Sequence, residues 1–161
     1  MILGITGHRH KTFNCGYKIP NPVYNKVKES SRKIFSEFKP EAIISGMAIG
    51  SDQWCTEVAI EQQIPFIAAV PFLNQELFWP KDSQHHYREL LEQAKQVEIV
   101  SSGGYASWKM QVRNQWIVDQ CDVLLAFYSG MGSGGTFNCI QYAKSKNKQI
   151  IEINPLERAT Q

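Results

Sequence analysis

The run Val123-Leu124-Leu125-Ala126-Phe127 is apolar at every position. A strand with one face in water alternates apolar and polar side chains, whereas a strand covered on both faces does not. The run therefore reads as an inner strand of a parallel sheet with helices packed on either side. After it, residues 130–135 are glycine-dense, a helix is expected over about residues 136–145, and a last strand over residues 149–153. Before it, Met110, Asn114, Ile117, Val118 and Cys121 recur at helical spacing and mark the preceding helix.

The same alternation extends to the start of the chain. Residues 2–6 form a β-type run ended by Gly7, and a polar loop follows over residues 8–21. Pro22 suits a first helical turn with Asn21 as its cap. Val23, Val27, Ile34 and Phe38 share one stripe of that helix, and Lys26, Lys28, Arg32 and Lys33 are expected on its solvated face. Ala42-Ile43-Ile44 is the second strand, followed by a helix over about residues 52–63. Residues 66–70 are the third strand and residues 72–80 an aromatic-rich loop. Tyr87, Leu90, Leu91 and Ala94 mark the next helix, and residues 97–100 the fourth strand. The expected fold is a doubly wound α/β architecture. It has a mostly parallel sheet of about six strands, helices on both faces, and one domain spanning residues 1–161.

Composition narrows the function classes. With 161 residues the chain has the length of about one domain. Charged residues are 20% and hydrophobic ones 43%, which argues against a disordered chain. The balance of 17 basic and 15 acidic residues gives only +2, which argues against nucleic acid as a partner. No apolar run is long enough to span a membrane. The first four residues lack the basic region of a secretory leader. Cys15, Cys55, Cys121 and Cys139 form no Cys-x-x-Cys pair, so free thiols in a reducing cytoplasm are expected.

In open parallel sheets ligands sit at the carboxyl ends of the strands, near a reversal of strand order. Thr6-Gly7-His8-Arg9 follows the first strand, Ser45-Gly46-Met47-Ala48-Ile49-Gly50-Ser51-Asp52 the second, and residues 129–136 the fifth. The last two are glycine-bearing turns that feed helix N-termini, where bare N–H groups and the helix dipole favour an anion. Gly46, Gly50, Gly134, Gly135 and Thr136 are the expected cradle, with Arg9 neutralising the guest. For any one of these glycines the alternative is a tight turn and nothing more.

Other motifs are weaker. Residues 130–135 formally match G-x-G-x-x-G, but in the last βαβ unit rather than the first, which argues against a dehydrogenase. No G-x-x-x-x-G-K-[ST] occurs, and Met131 stands where G-x-S-x-G needs its first glycine. His8-x-His10 with Cys15, or His85-His86, lacks a second ligand pair at zinc spacing, so no metal site is expected. In Arg113-Asn114, either the Asn114 amide satisfies a nearby loop carbonyl or the pair reaches the crevice from its helix, and the two readings stand level. Asp119 and Asp122 read as turn and helix-end residues, and Trp79 as either a stacking ring or a lid on the core.

The ordered set Thr6-Gly7-His8-Arg9, residues 45–54, Arg113 to Asp119 and Gly134-Gly135-Thr136-Phe137-Asn138, with Pro71-Phe72 to Gln75 and Trp79-Pro80 to Tyr87 between them, resembles the YpsA-like branch of the SLOG superfamily. That superfamily groups the DNA-processing protein DprA (SMF) with the LOG phosphoribohydrolases. The resemblance covers nearly the whole chain. It implies a Rossmann-like fold with a nucleotide or ADP-ribose-like ligand over the glycine turns. It adds Thr6, Gly7, His8, Ser45, Met47, Asp52, Gly132, Arg113 and Asn114 to the expected ligand-binding set. LOG enzymes carry Pro-Gly-Gly-x-Gly-Thr followed by a catalytic glutamate; this chain has no such proline, and Asn138-Cys139 stand where the acid is wanted.

Three functions follow as expectations. The first is a sensor or processing domain that binds a nucleotide-derived phosphate ligand, with no resident cofactor required and self-association left open. The second is an enzyme cleaving an N-glycosidic bond, with Asp52 or Glu57 activating water. The third, ranked last on charge, is single-stranded DNA binding through Lys26, Lys28, Arg32 and Lys33.

Overall fold

The computed structural model describes residues 1–13 and 19–156, so Cys15 and Lys18 lie outside the described residues. Six strands alternate with five helices: β1 (Ile2–Gly7), α1 (Pro22–Phe38), β2 (Ala42–Ser45), α2 (Ser51–Glu61), β3 (Phe66–Val70), α3 (Lys81–Glu92), β4 (Gln96–Ile99), α4 (Ser107–Gln120), β5 (Val123–Phe127), α5 (Gly135–Ser145) and β6 (Gln149–Ile153). The sheet order is β4-β3-β2-β1-β5-β6, and every described strand pairing is parallel. The chain builds outward from β1 to β4, then returns to the other side of β1 for β5 and β6. The strand order therefore reverses between β1 and β5, and a crevice opens there.

Burial explains the strand pattern. All five residues of β5 are buried, because β5 lies between β1 and β6 with helices on both faces. Leu3 and Ile5 of β1 and Ile43 of β2 join Val27, Phe35, Trp54, Val58 and Phe66 in the main core. A second cluster, Val118, Cys121, Leu124, Cys139 and Ala143, lies under α4 and α5. The edge strands differ from the expected apolar run: Val97 and Ile99 of β4 are 44% and 45% exposed. An edge strand has only one neighbour to cover it.

Local chemistry fixes the helix ends. Asn21 Oδ1 accepts the Tyr24 N–H at 2.9 Å, with Pro22 in the first turn. Lys39 ends α1 in the left-handed region at φ 47°, and its N–H returns to the Phe35 carbonyl. One expectation for α1 is corrected. Lys28 does not lie on a solvated face: it is buried, with Nζ 2.9 Å from Glu61 and 3.5 Å from Glu57. Arg32 is engaged with Glu61 as well, so these two cations tie α1 to α2. No described helix is long and apolar enough to cross a membrane.

Candidate functional site

The crevice lies over the carboxyl ends of β1 and β5 and encloses about 290 Å³. Thr6, Gly7, His8 and Arg9 line it from the end of β1, Ala48 from the turn after β2 and Asp52 from the start of α2. Arg113 and Asn114 enter from α4, and Gly134, Gly135 and Thr136 from the turn into α5. Ten of the expected site residues thus meet in one cavity.

The start of α5 is its most open part. Gly134 caps the helix at φ 96°, a left-handed conformation that favours glycine, with no side chain capping the first turn. The first hydrogen bond of the helix runs from the Asn138 N–H to the Gly134 carbonyl, so the N–H groups before it have no partner within the helix. Nothing lies within 4 Å of where a Cβ on Gly135 would stand. Peptide donors and the positive end of the α5 dipole therefore face the cavity, with exposed Arg9 on its wall.

The start of α2 is arranged differently. Asp52 Oδ2 accepts the Ala48 N–H at 3.2 Å, and Ser51 Oγ donates to the His8 carbonyl at 2.9 Å. An acidic side chain of the protein already stands at this N-terminus. Gly46 and Gly50 of this turn are not among the residues that line the cavity. Gly46 and Met47 are buried behind the lining, and Ser45 Oγ donates to the Asp52 carbonyl at 3.1 Å. Gly50 at φ 122° permits a close approach to the Arg9-His10 backbone, with which it forms a β-bridge. Gly132 is also absent from the lining, and its N–H donates to the Tyr128 hydroxyl.

Electrostatics follow from burial. Burial pushes the Asp52 carboxyl above its ordinary value, while Arg113, the Ala48 N–H and Arg9 oppose the rise. Burial likewise pulls the Arg113 guanidinium down, with Asp52 acting against it. Arg113 Nη1 donates to the Gly46 carbonyl at 2.8 Å, and Nε to Asn114 Oδ1 at 2.9 Å. The pair lines the cavity, and the loop carbonyl is met by Arg113, whose own Nε is held by the Asn114 side chain. The Gly46 carbonyl also accepts from Gln75 Nε2 at 3.2 Å, and Gln75 was not visible as a site residue in the sequence.

His8 is buried, and burial lowers its pKa. The Ser129 N–H donates to its Nε2 at 3.2 Å, so the neutral ring carries its proton on Nδ1. Glu57 does not reach this cavity. It lies in a separate pocket, 2.9 Å from His86 Nε2, and also accepts from the Tyr24 hydroxyl at 3.2 Å. Trp79 packs edge-on to Tyr87 against the core. Asp119 accepts from Tyr142, and Asp122 from the Ile2 N–H. Among the described residues no three His, Cys, Asp or Glu side chains gather as a metal site would require.

Thr12, Met110, Met131 and Ser133 also line the cavity. Met110 was read only as a helix-face residue, because an apolar side chain at helical spacing is ordinarily core.

Residues 3–157 match the family model described as YspA SLOG family (YpsA). A curated relative, a UPF0398 protein of Bacillus thuringiensis (strain Al Hakam), is 28% identical over 158 residues, covering 91% of this chain and 84% of the relative. DNA processing protein A (DprA) from Streptococcus pneumoniae superposes with a TM-score of 0.66 at 15% identity, over 93% of this chain and 49% of that one. The chain thus spans about half of that protein. The Helicobacter pylori DprA, described for its single-stranded DNA binding mode, gives 0.67 at 16% identity, over 94% and 64%. The molybdenum cofactor binding protein of Rippkaea orientalis gives 0.58 at 15% identity, over 95% and 76%. At these identities the structures share the fold. The expectation that nucleic acid is an unlikely partner does not stand, because a single-stranded DNA binder has the same fold.

Proposed function

Because the chain belongs to the YspA SLOG family, a Rossmann-like family here built with its crevice at the strand carboxyl ends, we propose that this crevice binds a nucleotide unit through its phosphate. The observation that carries the reading is the open N-terminus of α5 and Arg9 lining one cavity. Peptide N–H groups at a helix start bind phosphate, and a nearby guanidinium adds a charge-assisted bond of about 1.5–3 kcal/mol. Two sources present this chemistry: a phosphodiester of single-stranded DNA, or a free nucleotide derivative. The DprA likeness weighs toward the single strand, and exposed Tyr105 and Trp108 offer ring faces for unpaired bases. The likeness to a molybdenum cofactor binding protein supports a small ligand.

Titration with adenosine monophosphate and with a thymidine oligonucleotide, each at two salt concentrations, tests the reading. Oligonucleotide binding that falls steeply with salt assigns the strand. Binding of the monophosphate alone assigns the free ligand. Binding of neither, or binding unchanged by Arg9→Ala, overturns the proposal.

The enzymatic reading rests on Asp52 alone of the two expected acids. Asp52 is buried in the cavity wall with a raised pKa, the condition in which a carboxyl can hold a proton near neutrality. Release of free base from the bound monophosphate, abolished by Asp52→Asn, is the result that supports cleavage. The buried thiols of Cys55, Cys121 and Cys139 fit a cytoplasmic setting.

A further inference from the structure

Two apolar side chains of the crevice lie outside the clusters of the core. Met110 of α4 and Met131 of the β5–α5 loop both line it, and neither belongs to a hydrophobic cluster of the core. Most of the remaining side-chain lining is polar. Met131 is 59% exposed.

The loop around Met131 is shaped to hold it there. Gly130 and Gly132 flank it at φ 82° and 74°, in a region that side-chain-bearing residues rarely adopt. The Tyr128 hydroxyl accepts the Gly132 N–H and pins the arch from beneath. A plain connection from β5 to α5 needs neither paired left-handed glycines nor an apolar residue at its crest.

We infer that Met110 and Met131 hold the planar base of the nucleotide whose phosphate sits at the start of α5. The inference rests on the reading of the crevice given above and specifies the ligand further. Thioethers are flexible and polarisable, and they contact aromatic rings favourably without demanding one ring shape. The cavity of about 290 Å³ is at the small end of ligand pockets, which suits one nucleotide rather than a dinucleotide. The recognised class is a mononucleotide unit with a planar heterocycle, selected for the ring's presence more than for its hydrogen-bonding edge.

The test compares adenosine monophosphate with ribose phosphate, which keeps the phosphate and removes the ring. The native chain is expected to prefer adenosine monophosphate by about tenfold, the sum of two sulfur–ring contacts. Met110→Ala combined with Met131→Ala is expected to erase that preference while leaving ribose phosphate affinity unchanged. Met131 lies on the surface, so the single variant Met131→Ala keeps the fold and should lose part of the preference. Equal affinity for the two compounds, or a preference that survives the double substitution, overturns the inference while the phosphate reading stands. Failure of both compounds to bind overturns the inference, and the phosphate reading falls with it if the thymidine oligonucleotide also fails to bind. As an independent readout, bound adenosine monophosphate should protect Met131 from peroxide oxidation to its sulfoxide and ribose phosphate should not.

Discussion

The Arg113 guanidinium occupies the space that a side chain on Gly46 would need. A Cβ built there would stand 2.2 Å from Arg113 Nη1 and 2.6 Å from its central carbon. The glycine is therefore part of the charge arrangement. It lets a buried cation reach the Gly46 carbonyl at 2.8 Å and approach Ala69's at 3.4 Å.

Gly46→Ala should displace that cation from its acceptors without adding any partner. Loss of a hydrogen bond to a buried charged group destabilises by about 1.5–3 kcal/mol. Urea unfolding of Gly46→Ala against the native chain reads the loss. A change below about 0.5 kcal/mol, the range of a neutral surface substitution, would show that Arg113 relocates freely.

Gly50 and Gly135 should respond oppositely. Gly50 sits at φ 122° with the His10 nitrogen 2.7 Å from a built Cβ, so Gly50→Ala is expected to destabilise by about 2 kcal/mol through strain. Gly135 faces open space, so Gly135→Val should leave the melting transition nearly unchanged while filling the cavity. Thermal unfolding and phosphate binding of both variants check the contrast. A folded Gly135→Val that binds like the native chain would remove the α5 start from the site.

Buried His8 and half-buried His86 should tilt the pH–stability curve in opposite senses. Burial holds His8 below its ordinary 6.5, so its contribution is present above that value and is lost as pH falls below it. The Glu57 carboxylate holds His86 above 6.5, so its contribution is full below that value and is lost as pH rises through the raised pKa. His8→Gln is expected to flatten the acid limb, and His86→Gln the limb above 6.5. Denaturant midpoints across pH 5–8, the range in which histidine titrates, read both slopes. An unchanged acid limb in His8→Gln would mean that burial does not hold the His8 pKa below its ordinary value.

How much was legible in the sequence varies with how strongly burial constrains each segment. The bounds of β3, β5 and β6 match the apolar runs that announced them. The fourth strand instead begins at Gln96, one residue before its apolar stretch, because the backbone register with β3 sets an edge strand. α3 begins at Lys81, and its polar first turn carries no hydrophobic period. In the site, the turns after β1 and β5 were readable because glycine and charge stand out at strand ends. Glu57 lies on the next turn of α2 after Asp52, yet it points to the α1 and α3 side, to Lys28 and His86. Proximity in sequence did not reveal that change of face. Gln75 was unreadable because its partner, the Gly46 carbonyl, lies 29 residues away in the chain.

The central claim is that the open N–H groups at the start of α5, together with Arg9, hold a phosphate. The most direct measurement is titration of the isotopically labelled chain with inorganic phosphate, following the amide resonances of Gly135 and Thr136. The account predicts saturable shifts at these two amides, with affinity weakened at least about tenfold by Arg9→Ala, the equivalent of one lost charge-assisted bond. Amides that do not move on saturation, or that titrate identically without Arg9, would contradict it.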